Sequence, residues 1–214
     1  MYRQTLLPII IAGKVLLGTT LCHGQTREVP NSYGIKISVP NNWSLDTSEL
    51  INAKVKLTEL LTALKTEGKV RILNTGTAPG ALEGYCRVRL NITTDITLSQ
   101  AEAASLTDED LKEMEGFFGK ELQDMPLFHV DKDSISVKTT RSDDGYSGFR
   151  LSYVRSGTKG PVNVYQYWFP FSNRCAQLTL SYEVANQEAL WPSLLKILAS
   201  LRLDDKELWP KNPS

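Results

Sequence analysis

Apolar and polar residues alternate across Ile35, Ile37 and Val39, and Pro40 closes the run, which predicts a half-buried strand. The turn residues Asn41 and Asn42 then deliver Trp43 toward whatever covers that strand. From about Thr47 the period changes. Leu50, Val55, Leu57, Leu60, Leu61 and Leu64 recur at helical spacing, with Asp46 as N-cap and Gly68 as the stop. "KVRILNTG" and "YCRVRLNITTD" follow as two strands joined by the turn-rich "TAPGALEG". In the second strand Cys86, Val88, Leu90 and Ile92 share one face, and Arg87, Arg89 and Asn91 share the other.

Ser105 to Met125 has the pattern of a second helix. Thr107 and Asp110 stand at capping-box spacing, and acids fill the first turn where the helix dipole favours them. Leu111, Met114, Phe117, Phe118, Glu121 and Leu122 form its expected buried stripe. Gly116 and Gly119 weaken this helix or permit close packing, and Pro126 ends it. Beyond it come "LFHV", "SISVKTT", "YSGFRLSYVRS", "VNVYQYWFPF" and "RCAQLTLSYEV", separated by "DKD", "RSDDG", "GTKGP" and "SN". These separators carry turn chemistry at hairpin length, so the segments predict an antiparallel meander. A last helix, "NQEALWPSLLKILASLRL", turns Leu190, Leu194, Leu195, Ile197, Leu198 and Leu201 toward the core. Pro192 lies in its first two turns, where a helix tolerates proline best.

Tight turns between consecutive strands require antiparallel pairing, and the apolar helix stripes must be buried on the sheet. The fold class is therefore α+β: an antiparallel sheet of about six to seven strands packed between helices. Residues 25–203 form one domain, and 204–214 form a polar tail. The last hairpin fixes its own register if Ser172 and Asn173 make a two-residue loop. Phe169 then faces Ala176, Tyr167 faces Leu178 and Tyr165 faces Leu180 on one apolar face. Trp168 and Cys175 fall on the other, with Gln166, Gln177, Thr179 and Ser181.

Residues 1–24 read as a signal peptide: Arg3, an apolar stretch from Leu6, then small residues before Gln25. Cys22 raises a lipoprotein alternative, against which Leu21 stands at a position that lipoprotein signals give to a small residue. Lys14 interrupts the apolar stretch, which argues against a permanent membrane span. Export makes the expected location periplasmic or secreted. An oxidising compartment invites a disulfide between the two remaining cysteines, Cys86 and Cys175. Strand parity opposes it, because the two thiols point to opposite faces of a regular sheet; two unbonded thiols are the alternative.

Lys+Arg and Asp+Glu number 24 each, so no general attraction to nucleic acid follows. After cleavage His129 is the single histidine, and no GxSxG, CxxC, HExxH, P-loop or GxGxxG accompanies it. His129, Asp131 and Asp133 alternate, but "DKDS" reads as a turn, which would scatter them rather than build a metal site. The sequence predicts no enzyme, no metal and no cofactor. Trp168, Arg87 and Arg89 are the candidate surface-binding residues.

"YGIKISVPNNWSL" resembles the opening strand–Pro–x–x–Trp signature of the PsbP-like/DcrB-like superfamily. "VYQYWFPFSNRCAQLTLSYEV" and the helix after it are similar to that superfamily's closing hairpin and helix. The likeness runs from Tyr33 to Leu203 in element order, and these two segments carry it at residue level. It implies a sheet between helices in exported or lumenal proteins that bind other proteins rather than catalyse. Members include a photosystem-associated subunit, a Ran-binding factor, a periplasmic protein used by phage and secretion-system chaperones. No family catalytic residues carry over, and the fold does not choose the partner. The expectation is an exported protein-binding or envelope-assembly protein, with an immunity or inhibitor protein as a subtype. The alternative is a small-molecule or lipid-binding module using the groove between sheet and helices.

Overall fold

The computed structural model describes residues 25–29, 34–45, 71–77, 85–93, 98–125, 129–171 and 174–204, with backbone alone over 71–77. The 1–24 segment, the helix read from Thr47, and the tail beyond Asp204 lie outside the described residues.

The strands are β1 (Thr26–Glu28), β2 (Ile35–Lys36), β3 (Ser38–Pro40), β4 (Ser44–Leu45), β5 (Arg71–Thr77) and β6 (Cys86–Thr93). Later come β7 (Val130–Arg141), β8 (Ser147–Arg155), β9 (Val162–Pro170), β10 (Cys175–Glu183) and β11 (Arg202–Leu203). The helices are α1 (Gln100–Ala104), α2 (Asp108–Gln123) and α3 (Gln187–Ala199). The central sheet has seven strands in the order β4-β5-β6-β10-β9-β8-β7, every pair antiparallel. The meander β7–β10 is therefore contiguous, and β10 closes onto the earlier β6. Small sheets β1-β3 and β11-β2 stand apart.

The β9–β10 register is the one that the sequence dictates: Ala176 faces Phe169, Leu178 faces Tyr167 and Leu180 faces Tyr165. The Phe171 N–H donates to the Arg174 carbonyl at 2.7 Å, one pair beyond Pro170 and Cys175. Hydrophobic pattern sets this register, since a one-residue slip would carry every core ring to the other face. One face of β6, β9 and β10 thus collects Cys86, Val88, Leu90, Ile92, Tyr167, Phe169, Leu178, Leu180 and Tyr182 into a core. Leu194, Ile197 and Leu201 of the α3 region cover it, with Ile35, Ile37, Val39 and Trp43. The other face carries a second core on β7–β9, built from Val137, Phe149, Leu151, Tyr153 and Val164 beneath α2.

Four details differ from the sequence reading. "DKD" is not a hairpin turn but an irregularity within β7, because Val130 and Ser136 both pair along the same neighbour, β8. There the Asp133 N–H bonds Asp131 Oδ1 at 3.1 Å, and Ser134 Oγ accepts the Val154 N–H at 2.8 Å in place of a ladder carbonyl. The lead residues Thr26–Glu28 form a strand, paired to Ser38–Pro40. The final helix ends at Ala199, and Arg202–Leu203 leave it to pair with Ile35–Lys36. Leu195 is 42% exposed rather than turned to the core.

Candidate functional site

Cys86 and Cys175 are buried and unbonded. Cys175 is level with Thr93 and Cys86 with Tyr182, so seven positions of ladder, about 23 Å, separate them. A bridge needs Cα atoms within about 7 Å, so the ladder corrects the disulfide expectation by distance as well as parity. Burial pushes the Cys175 thiol well above the ordinary thiol range, partly offset by a backbone hydrogen bond involving Phe169. That thiol is therefore a poor nucleophile.

Three rows across the sheet locate the other candidates. Phe149, Trp168, Gln177 and Asn91 are successive neighbours on β8, β9, β10 and β6. The next row runs Leu151, Gln166, Thr179, Arg89, and the next Tyr153, Val164, Ser181, Arg87. This face thus grades from apolar under α2 to polar at β10 and β6. Trp168 is half-buried, stacked on Phe149 at 5.9 Å between ring centroids and on Phe118 of α2 at 6.3 Å. Its Nε1 is buried with no hydrogen-bond partner among the described residues. Arg87 and Arg89 are half-buried and have partners within the fold. Asn91 Nδ2 donates to Gln177 Oε1 at 2.8 Å, a buried polar pair in the same region. The structure brings Trp168 under a helix and leaves the arginines two strands away.

Among the described residues no group of three His, Cys, Asp or Glu side chains could hold a metal ion. His129 is exposed, at the end of β7. No helix among the described residues is long and apolar enough to cross a membrane.

The feature that sequence reasoning missed lies on the outer side of α2. Thr107 caps this helix: its Oγ1 accepts the Asp110 N–H at 3.2 Å, and Asp110 Oδ2 accepts the Thr107 N–H at 2.8 Å. The side-chain and backbone hydrogen bonds from Thr107 hold the Asp110 carboxyl below its usual range. Glu115 Oε2 accepts the Val137 N–H, and Gln123 Nε2 donates to the Val130 carbonyl, tying α2 to β7. Before it, Gln100 of α1 donates to the Ser147 and Pro170 carbonyls and accepts the Ser147 N–H, which clamps α1 to β8 and β9.

Beside α2 opens a groove of about 460 Å³. Leu98, Leu106, Met114 and Phe117 give its apolar lining, Phe118 and Phe149 its floor, and Asp110 and Glu113 its charge. Phe117 is 62% exposed, whereas the sequence reading had it in the buried stripe. The physical reason is angular: adjacent helix residues diverge by about 100°, and the side of α2 on the sheet is centred on Leu111, Phe118 and Leu122, which leaves Phe117 outside it. Phe118 takes the sheet and Phe117 the solvent. The short helix α1 also escaped the sequence reading, although Ser99 with Glu102 is a capping box like that of Thr107 and Asp110.

No protein-family profile matches the chain, and no curated protein matches it. Solved structures do. Cyanobacterial PsbP (CyanoP) from Synechocystis sp. PCC 6803 superposes with a TM-score of 0.54 at 12% identity, covering 88% of this chain and 99% of that one. LpqN, involved in cell envelope biogenesis of Mycobacterium tuberculosis, gives 0.43 at 16% identity, over 85% of this chain and 91% of its own. A protein of Bacteroides thetaiotaomicron VPI-5482 gives 0.42 at 8% identity, over 85% of this chain and 48% of its own. The superposition on CyanoP agrees with the element order resembled in sequence: this chain has the PsbP-like α+β fold.

Proposed function

We propose that this chain is an exported, non-enzymatic protein that docks another protein, or holds an envelope assembly together, through the groove beside α2. The observation that carries the reading is Phe117. A phenylalanine exposed to 62% contributes little to the fold, yet it stands in an open apolar groove along α2, a helix capped by Thr107 and tied to β7 by Glu115. Large exposed aromatics in such settings are the usual anchors of protein interfaces. Residues 1–24 support export to the periplasm or beyond the cell. An immunity or inhibitor protein fits the same surface.

A second reading, a small-molecule or lipid-binding module, draws on the groove volume, which lies within the ordinary range of ligand sites. Against it, the groove is open to solvent, and such sites usually enclose most of their ligand.

The test is affinity capture from envelope extracts of the native host, with wild-type and Phe117→Asp baits of equal stability. Docking predicts a partner retained by the wild type and lost from the variant. The reading is abandoned if both baits return the same eluate while native mass spectrometry of the wild type shows a retained small molecule.

A further inference from the structure

We infer that the groove beside α2 is built for a polypeptide segment that presents a cation at one end and an apolar anchor at the other; this rests on the docking role proposed above. Asp110, Glu113 and Phe117 are spaced i, i+3, i+7 and so share one stripe of the helix. At 1.5 Å rise per residue, Asp110 stands about 10 Å along the axis from Phe117, and Glu113 about 6 Å. The groove is thus charged at the N-terminal end of α2 and apolar toward Phe117. Among the described residues no Lys or Arg lines it, since Lys112 and Lys120 of the same helix lie off its wall.

The helix dipole does not cancel this charge. Asp108, Glu109 and Asp110 crowd the first turn and Glu113 follows, against a positive end worth only about half a unit charge. The local potential is therefore negative. It attracts Lys and Arg and repels an anionic lipid surface, which disfavours a membrane as the occupant. Thr107 already engages the Asp110 carboxylate, so Glu113 sets the spacing: about 6 Å, which is about two residues of extended chain, or about four of a helix, between cation and anchor.

Selection of a random dodecapeptide library displayed on phage, against the full chain, tests this. The expected binders carry Lys or Arg about two residues from Leu, Phe or Trp, or about four in helix-forming sequences. Their synthetic copies should weaken about 3- to 5-fold on Glu113→Gln and at least as much between about 50 and about 500 mM salt. Phe117→Ser should abolish binding. Apolar or acidic peptides that are lost on Phe117→Ser but indifferent to Glu113→Gln and to salt would overturn the cationic assignment and leave the docking surface standing. Absence of any peptide sensitive to Phe117→Ser, or co-sedimentation of the chain with phosphatidylglycerol vesicles through Phe117, would overturn both.

Discussion

Two adjacent phenylalanines on α2 should respond oppositely to truncation, and the contrast follows from which way each ring points. Phe118 is half-buried and lies against Phe149 and Trp168, with ring centroids at 6.1 and 6.3 Å. Truncating a buried phenylalanine costs about 3–5 kcal/mol, and each aromatic contact adds about 0.5–1.5 kcal/mol beyond area. For a half-buried ring with two such contacts, Phe118→Ala should cost about 2–3 kcal/mol. Phe117 is 62% exposed and, among the described residues, its one ring contact is edge-on to Phe118 at 5.5 Å. Its remaining burial is worth about 1 kcal/mol. Alanine returns about 0.5 kcal/mol of helix propensity, so Phe117→Ala should fall within about 0.5 kcal/mol of wild type. Urea unfolding followed by tryptophan fluorescence measures both. Trp168 sits in the Phe118 stack, so only Phe118→Ala should also alter the native emission. A Phe117→Ala loss equal to that of Phe118→Ala would refute the orientation of α2 and, with it, the groove.

Other consequences are open to direct measurement. Gly148→Ala should destabilise by about 2 kcal/mol or more in the same assay, because its Cβ would collide with the Trp168 carbonyl and press Phe169 Cδ1 at 3.0 Å. Gly116→Ala should stabilise by about 0.5–1 kcal/mol, since a Cβ there meets nothing within 4 Å and the helix gains propensity. Peptide mapping without reductant should find Cys86 and Cys175 as free thiols, slow to alkylate until the chain unfolds. Stability should fall at alkaline pH. Burial raises the Cys175 thiol and the Tyr153, Tyr167 and Tyr182 phenols, so the native state keeps protons that the unfolded chain releases. The stabilisation is complete below the unfolded thiol value, about pH 9, and is lost as pH rises beyond it; Cys175→Ala should soften the onset.

Short-range signals were legible in the sequence. The alternation through Tyr165–Tyr182 determines the hairpin register, and Thr107 with Asp110 determines where α2 starts. Both depend on residues within one hairpin or one turn. The small sheets were not legible. Strand β2 pairs with β11 across the length of the domain in two residue pairs, and the Ser38 N–H donates to Ser200 Oγ, 162 residues away. Nothing local announces such contacts. The irregularity in β7 was misread because Asx geometry at Asp131 resembles a turn, whereas only the pairing with β8 shows that the strand continues. The aromatic run was assigned correctly to a core face, yet Trp168 proved to be covered by α2, and the exposed ring was Phe117. Apolar spacing identifies an amphipathic helix but fixes the angle of its stripe only loosely, and a Phe–Phe pair falls on the boundary.

The central claim is that the Phe117 groove meets another protein. Replacing Phe117 with the photo-crosslinking residue benzoylphenylalanine in the native host tests it most directly, with Leu195, 42% exposed, as the control position. The account predicts a discrete protein adduct from position 117, mapped by mass spectrometry to a cationic, apolar segment of one partner, and none from position 195. Equal labelling from both positions, or adducts of lipid alone, would contradict it.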